Sequence, residues 1–330
     1  MSAKTIFYIK SIDIYGLFGK QHIYWNLRKD VNILGGINGS GKSTILKACY
    51  ELVAQGRIDD LKCVRLMDSV KITFTNDWCI IWEKEDLDNI QDKWYEKVMM
   101  YTLDDMDNKK NYSCIIQVKD KNGICQDNDI IAKSVTIEFV NSFEQRVSDV
   151  IRLSKRPEWA SENDSTLLDE NIREELNYRN EIYSGAYESL MELLQKDGKV
   201  DLENHIDIKE YFQLMDVCGR FFDGYSLSLG SKLEFRNGNN RIPFNNLSMG
   251  QKQLLLILLM VTNTQKQPSV FIMDEPDLGM HVDWKKKLIK EIHQLNPNMQ
   301  LIVSTHAPSM VTGWNDCVKE VGQITLKGED

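Results

Sequence analysis

The chain has 330 residues, a length that allows roughly two structural lobes. Its 49 acidic residues exceed its 40 basic residues, and the net charge of −9 argues against a nucleic-acid-binding surface over the whole chain, though not against a local basic patch. The seven cysteines are scattered without a C-x-x-C pair, which argues against a zinc site and a disulfide framework. The N-terminus lacks the apolar core of a signal peptide, and the longest apolar run, Leu254 to Val261, is far shorter than the about 20 residues of a membrane helix, so we expect a cytoplasmic protein with no membrane segment.

The first motif along the chain predicts a phosphate-binding loop. Gly36 to Thr44 fit the pattern G-x-x-x-x-G-K-[ST], after an apolar run over Val31 to Leu34 and before a helical pattern over Ile45 to Ala54. In this strand–loop–helix setting, glycines let backbone N–H groups face an anion, and the start of the helix adds partial positive charge. Lys42 can reach the outer phosphates of ATP, and the Ser43 hydroxyl can coordinate Mg²⁺. The predicted ATP-binding residues of the loop are Asn38, Gly39, Ser40, Gly41, Lys42, Ser43 and Thr44.

The middle of the chain predicts a β-lobe followed by helices. Between Val64 and Phe139, short alternating runs are separated by polar turns, which indicates an antiparallel β-lobe that includes Val135 to Phe139. Apolar residues at helical spacing over Ser165 to Leu194 predict a helix that either packs on its own domain or forms a short arm for a partner. A hairpin with a turn at Asn237 to Asn240 is expected next.

A third segment predicts an anion site at the start of a helix. Leu247 to Gln251 precede a helical pattern over Lys252 to Thr262. Ser248 has the position of a helix N-cap, and the N–H groups that follow it can hold a phosphate. The two interpretations are compatible with each other.

Two apolar runs near the end of the chain predict buried parallel strands that end in polar residues. Val270 to Glu275 end in two carboxylates, and Leu301 to His306 end in a histidine. Because α/β sheets bind ligands at the carboxyl ends of their strands, we expect Asp274 to bind Mg²⁺, directly or through water. Glu275 would then polarise the attacking water.

The order of these motifs resembles the catalytic set of the ABC ATPase superfamily. Leu247 to Gln251 are similar to its signature motif, LSxGQ, and His306 is similar to its switch histidine, which contacts the γ-phosphate. The resemblance implies that Glu275 and His306 are catalytic. It also implies that the signature binds the ATP of a second copy in trans, through Ser248, Gly250 and Gln251.

Three segments resemble one branch of that superfamily, the OLD, RecF and SMC-like ATPases. They are Tyr8 to Phe18, Glu275 to His281 and Ser304 to Pro308. The chain departs from this branch in having Met280 and Val282 where Leu and Pro are usual. The resemblance implies that Asp277 is the D-loop residue of this chain. Gln145, which follows the β-lobe, is either the ATP-binding glutamine that senses Mg²⁺ and water or an ordinary residue at a helix start.

The resemblance implies an α/β fold: an ABC-type phosphate-loop ATPase head with an antiparallel β-lobe and an inserted helical lobe. The expected N-terminal ATPase half, with the phosphate loop and the β-lobe, is 1–150. The inserted helical lobe is 151–224. The C-terminal ATPase half, with the signature, the carboxylate strand and the switch histidine, is 225–330.

The leading hypothesis from this resemblance is an ATPase that uses Mg²⁺ and closes around ATP as a homodimer or higher oligomer. Small stand-alone ATPases of this branch are similar to ATPase subunits of the Septu, PARIS and retron anti-phage systems, so the expected partner is a separate effector protein, a nuclease. An alternative is a RecF-like or SMC-like repair clamp that binds DNA directly. A third is a transporter motor, which the segment Glu275 to His281 disfavours.

We expect no nuclease activity in the chain itself, since 24 residues follow His306 and the five histidines are dispersed. Two basic clusters, Arg152 to Arg156 and Lys285 to Lys287, could contact DNA or RNA. For the lysines we favour a solvated helix face. The buried stripe of that helix would then be Trp284, Leu288 and Ile292.

Overall fold

The structure, a computed structural model, describes residues 8–54, 64–86, 99–105, 110–127, 129–141, 168–179, 181, 206–222, 225–229 and 233–326. Within these residues the strands are β1 (Ile9–Leu17), β2 (Gln21–Asn26), β3 (Val31–Gly35), β4 (Ser69–Phe74), β5 (Cys79–Asp86), β6 (Met99–Asp105), β7 (Lys110–Lys119), β8 (Cys125–Gln126), β9 (Ile137–Asn141), β10 (Ser226–Leu229), β11 (Leu233–Asn237), β12 (Asn240–Pro243), β13 (Ser269–Asp274), β14 (Met299–Ser304), β15 (Val318–Glu320) and β16 (Thr325–Leu326). The α-helices are α1 (Lys42–Ala54), α2 (Ile130–Ser134), α3 (residues 168–179), α4 (Ile206–Phe221), α5 (Met249–Asn263), α6 (Val282–Leu295) and α7 (Val321–Ile324). Among the described residues, no helix combines the length and apolarity needed to cross a bilayer.

A parallel sheet separates two hydrophobic cores. Its strand order is β15–β3–β14–β13–β9. Every residue of β13 and β14 is buried, as expected for parallel strands that are covered on both faces. Because side chains alternate along a strand, Phe271 and Met273 pack into one core with α5 and α6. Val270 and Ile272 pack into the other core with α1 and the β-lobe.

The predicted β-lobe is a separate, antiparallel sheet. Its described strands follow the order β16–β2–β1–β4–β5–β7–β6, and β8 pairs with β7. The buried side chain of Gln300, on β14, joins this lobe to the parallel sheet. Its amide donates to the carbonyl oxygens of Ile9 at 2.8 Å and Arg28 at 2.7 Å, and its Oε1 accepts from the Ile9 N–H at 2.9 Å. These bonds satisfy polar groups where the two sheets meet.

The structure corrects one strand assignment. We predicted Val135 to Phe139 as part of the antiparallel lobe, but β9 pairs in parallel with β13, with Ile137 opposite Val270 and Asn141 opposite Asp274. A short alternating run suits either kind of sheet, and the choice depends on a partner more than one hundred residues away. The strand therefore belongs to the sheet that forms the site.

Helices of the middle segment pack on the α5 side of the parallel sheet. Ile172 of α3 and Leu214 of α4 lie in the same buried core as Leu258 of α5. The predicted turn before the signature segment lies at Gly238, with φ +57°, between β11 and β12, and β10 adds a third strand to that hairpin. The boundary of 151–224 for the helical lobe stays a prediction, because much of that range lies outside the described residues.

A carboxylate near the amino-terminal edge of the parallel sheet predicts a pH-dependent stability. Glu138 of β9 and Glu175 of α3 line a cavity of about 490 Å³. Burial, and to a lesser extent the charge of Glu175, raises the pKa of Glu138 from 4.5 to about 7. Because this folded-state pKa lies above the unfolded value, its contribution to stability is present below about pH 4.5 and is lost as the pH rises through about 7.

The substitution Glu138→Gln is expected to raise the free energy of unfolding by about 2–3 kcal/mol at about pH 8, because it removes a partly buried charge. At about pH 5 the increase in the free energy of unfolding should be smaller, since the Glu138 carboxyl of the native chain is then mostly protonated. Denaturant unfolding at both pH values measures the difference. Glu174→Gln, at an exposed position of α3, is the control. Equal gains at the two pH values would contradict the raised pKa.

Candidate functional site

Three parallel strands bring the predicted site residues to one edge of the sheet. The register places Asp274 opposite Ser304, and Ser304 opposite Leu34. The phosphate loop follows β3 directly, and Glu275 follows β13 directly. The carboxyl ends of parallel strands are where α/β sheets bind ligands. Segments that are far apart in the sequence therefore meet at this edge.

The loop between β3 and α1 has a backbone that glycine allows. Gly36, Gly39 and Gly41 have φ values of +143°, +77° and +98°, which side-chain-bearing residues rarely adopt. A Cβ at Gly41 would lie 3.2 Å from Cε2 of Phe18, so this position is also tightly packed. Oγ of Ser40 is buried and has no hydrogen-bond partner among the described residues. A phosphate oxygen in the loop would satisfy that hydroxyl.

Lys42, the first residue of α1, reaches back into this loop. Its Nζ donates to the carbonyl oxygens of Gly36 at 3.0 Å and Ile37 at 3.1 Å. Burial lowers the pKa of Lys42, and the charges of Glu275 and Asp274 act in the opposite direction. Phosphate oxygens carry negative charge, so they would bind this cation more strongly than the neutral carbonyl oxygens of the loop do.

His306 joins Lys42 to Glu275. Its Nε2 lies 2.7 Å from Nζ of Lys42 and 2.9 Å from Oε1 of Glu275. A single ring nitrogen accepts a hydrogen bond from Lys42 or donates one to Glu275, but it cannot do both at once. Nε2 therefore acts as an acceptor when it contacts Lys42 and as a donor when it contacts Glu275. An anion that binds Lys42 would favour the contact with Glu275.

Asp274 has the geometry of a metal ligand. It is fully buried, and its Oδ1 accepts hydrogen bonds from Oγ of Ser43 at 2.9 Å and from Oγ of Ser304 at 2.7 Å. Its Oδ2 is buried and has no hydrogen-bond partner among the described residues. A buried carboxylate oxygen without a partner is costly unless a cation satisfies it. Because Mg²⁺ prefers oxygen ligands, Ser43 and Asp274 fit the predicted magnesium site.

Glu275 has a left-handed backbone conformation, with φ +50°. This conformation costs on the order of 1–3 kcal/mol in a residue other than glycine. Its N–H donates to the carbonyl oxygen of Ser304 at 3.1 Å and to Oγ of Ser304 at 3.0 Å, which holds the turn. The turn gives adjacent carboxylates different surroundings, since Asp274 contacts two hydroxyls and Glu275 contacts His306.

The predicted D-loop residue, Asp277, makes contacts within its own chain. It is buried, and it accepts hydrogen bonds from Oγ1 of Thr305 at 2.9 Å and from Nζ of Lys285 at 2.9 Å. These bonds connect the segment after Glu275 to the end of β14 and to the first turn of α6. Asp277 thereby fixes the position of the segment that carries it.

The interpretation of Lys285 to Lys287 as a solvated face is wrong for two of the three lysines. Lys285 is 21% exposed and pairs with Asp277. Lys287 donates to the carbonyl oxygen of Arg220, and its ammonium lies 4.7 Å from the ring centroid of Phe221. Only Lys286, of these three, lies on the exposed face. The apolar stripe of α6 was predicted correctly, because Leu288 and Ile292 are buried and Trp284 is partly buried against the same core.

The predicted signature motif forms the start of α5. Ser248 is the exposed N-cap of this helix: its Oγ accepts from the Gln251 N–H at 3.3 Å, and its own N–H donates to Oε1 of Gln251 at 2.7 Å. The N-cap prediction is confirmed. Gly250 is buried, and a Cβ there would lie 2.2 Å from the carbonyl oxygen of Gly279. Glycine is therefore required at this position for α5 to approach the segment after Glu275.

A protein-family model described as "AAA domain, putative AbiEii toxin, Type IV TA system" matches residues 127–311. The match covers more than half of the chain and includes α5, β13, β14 and His306. The chain belongs to this AAA-domain family. The phosphate loop lies before the matched residues, so the geometry around Lys42 supports a nucleotide site independently of the match.

Two curated bacterial proteins are also similar to this chain. The chain is 24% identical to the Septu protein PtuA of Bacillus thuringiensis over 326 residues, which is 92% of this chain and 72% of that protein. It is 30% identical to the Retron Vc95 probable ATPase of Vibrio cholerae serotype O1 biovar El Tor over 88 residues, which is 23% of this chain and 17% of that protein. A solved structure of an Smc head bound to the C-winged helix domain of ScpA has a TM-score of 0.49 at 15% identity, covering 92% of this chain and 90% of that one.

The matched family and the two relatives confirm the predicted family resemblance, and the described strands and helices confirm the predicted fold class. The parallel sheet with its phosphate loop, the antiparallel β-lobe and the helices α3 and α4 are the expected parts of the α/β fold. The resemblance to ABC-type ATPases of defence systems agrees with the matched family and with both relatives.

Most predicted site residues lie where the motifs placed them, and their roles stay predictions. Gln145 lies outside the described residues. Sequence reasoning missed three supporting side chains: Ser304, Thr305 and Lys285. The first two could have been found, because they lie at the carboxyl end of a predicted parallel strand and therefore at the ligand-binding edge of the sheet.

Proposed function

We propose that this chain binds and hydrolyses ATP at the edge formed by the phosphate loop and β13. The observation that carries the proposal is the convergence of Lys42, Glu275 and His306 within hydrogen-bonding distance. Lys42 binds the outer phosphates, Glu275 accepts a proton from the attacking water, and His306 holds Glu275 in place. Mg²⁺, held by Ser43 and Asp274, would supply positive charge that stabilises the phosphate oxygens.

The closed state in this proposal is a homodimer, or a higher oligomer built from it, with two ATP molecules between the subunits. Ser248 is exposed at the start of α5, and the helix N-terminus beside it offers N–H groups and partial positive charge to an anion. In one subunit these groups bind the γ-phosphate held by Lys42 of the other subunit. ATP then stabilises the dimer, because only the closed state contacts the phosphate from both sides.

The cellular role in this proposal is anti-phage defence in the bacterial cytoplasm, through a separate effector protein that is a nuclease. Its support is the similarity to the Septu protein PtuA and, over a shorter span, to a retron ATPase. ATP binding holds or releases the effector, which docks on the helical lobe. None of the residues predicted to contact ATP lies in that lobe.

Ser248→Arg is expected to abolish ATP-dependent dimerisation while each monomer still binds ATP, because a long cationic side chain blocks the surface that faces the second subunit. Light scattering with and without ATP, in a Glu275→Gln background that retains nucleotide, measures dimerisation. Asn239→Arg, at an exposed turn between β11 and β12, is the matched control. Dimerisation of the Ser248→Arg chain at the concentration of its parent would refute the in-trans arrangement.

A further inference from the structure

Helix α3, which belongs to the helical lobe, is held on the signature helix α5 by polar contacts at two places. Oδ1 of Asp169 lies 2.8 Å from Nζ of Lys252, in the first turn of α5. Nδ2 of Asn263, the last residue of α5, donates to the carbonyl oxygen of Glu175 at 2.9 Å and to its Oε2 at 2.7 Å. The two contacts are about two turns apart on α3 and about three turns apart on α5.

The surface between these contacts is apolar and buried. Ile172 and Leu176 of α3 lie in the same core as Leu254 and Leu258 of α5. Well-packed cores deform little, so two helices joined by such a core and by polar contacts at both ends tend to move together. A displacement of the signature helix would therefore carry α3 with it.

The ion pair of Asp169 and Lys252 lies in the first turn of α5, directly after the signature segment. Lys252 is four residues after the N-cap, and a cation is unfavourable there because a helix start carries partial positive charge. Its side chain is 16% exposed and that of Asp169 is 7% exposed. The ammonium also lies 5.1 Å from the ring centroid of Phe244. Without the carboxylate of Asp169, a mostly buried cation next to the signature would lose its counter-charge and move toward solvent.

We infer that Asp169 is a positioning residue for the signature motif. Through Lys252 it fixes the start of α5, so that the hydroxyl group of Ser248 and the N–H group of Gly250 face the phosphate of the opposite subunit. Together with the contact of Asn263 and Glu175, it makes α3 and α5 one rigid unit. The nucleotide state of the site is thereby transmitted to the helical lobe. This inference rests on the proposed in-trans function of the signature.

The test uses Asp169→Asn in the full chain with Glu275→Gln. This change removes the charge and keeps the shape of the side chain. ATP affinity of the monomer should match that of the parent, because Lys42 and its loop are untouched. ATP-dependent dimerisation should shift to higher protein concentration, and in the chain with native Glu275 the kcat should fall with little change in KM. Glu174→Gln, on the exposed side of α3, should behave like the parent.

A charge-reversed pair separates positioning from general loss of structure. Asp169→Lys combined with Lys252→Asp restores an ion pair at the same place. ATP-dependent dimerisation should then be stronger than in the Asp169→Asn chain, even if Asp169→Asn by itself lowers the melting temperature. Hydrogen exchange of residues 168–179 gives a second readout. ATP should slow exchange in α3 and α5 of the parent chain, and the effect on α3 should be lost when Asp169→Asn is combined with Asn263→Ala.

Two results would overturn the inference while the proposed function stands. One is unaltered dimerisation of the Asp169→Asn chain; the other is a folded charge-reversed chain that dimerises no better than Asp169→Asn. If the Glu275→Gln parent does not dimerise with ATP, the proposed function itself fails, and the inference fails with it.

Discussion

Glu275→Gln is expected to lower ATP turnover by about 100- to 10,000-fold, the usual contribution of a general base. ATP binding should persist, because Lys42, Ser43 and Asp274 are unchanged. Glutamine has nearly the same shape as glutamate, so the left-handed turn and its hydrogen bonds to Ser304 can remain. What is lost is a carboxylate that can accept the proton of the attacking water.

Phosphate release under saturating ATP measures this change, and calorimetry measures the affinity for ATP. Glu83→Gln, at a half-buried glutamate of β5 in the β-lobe, is the matched control and should leave turnover unchanged. If Glu275→Gln turned over ATP at the rate of the native chain, the water-polarising carboxylate would have to be another residue, and the assignment would be wrong.

Lys42→Ala is expected to weaken ATP binding by about 10- to 100-fold, since a lost hydrogen bond to a charged group costs about 1.5–3 kcal/mol. The reason lies in the loop: Nζ of Lys42 is within hydrogen-bonding distance of two loop carbonyls and of His306, where phosphate oxygens would replace them as partners. Turnover should fall as well, but the distinguishing result is the loss of affinity, which Glu275→Gln does not share.

Calorimetric titration with ATP and Mg²⁺ measures the affinity of the Lys42→Ala chain. Lys47→Ala, on the same helix, controls for the removal of a lysine near the loop. A thermal melt shows whether the variant is folded, because the native ammonium is mostly buried. Native affinity in a folded Lys42→Ala chain would mean that the loop does not hold the phosphates.

The sequence by itself determined the features that depend on neighbouring residues. The glycines of the phosphate loop, Lys42 and the helix after them form one local unit, since positive φ values and a helix start need no distant partner. Ser248 was predicted as an N-cap for the same reason, because its hydrogen bonds reach only to Gln251. The apolar runs over β13 and β14 were long enough to indicate buried parallel strands.

Tertiary structure alone decided which segments meet and which groups pair. The pattern of β9 suits both sheets, and only its contact with β13 assigns it to the parallel one. Lys285 has the sequence context of a surface lysine, yet the buried carboxylate of Asp277 is its partner. Gly250 is required by the carbonyl of Gly279, and Asp169 is paired with Lys252, across separations that no local pattern encodes. Burial and charge pairing depend on the whole fold, so these contacts could be found only once the chain was seen folded.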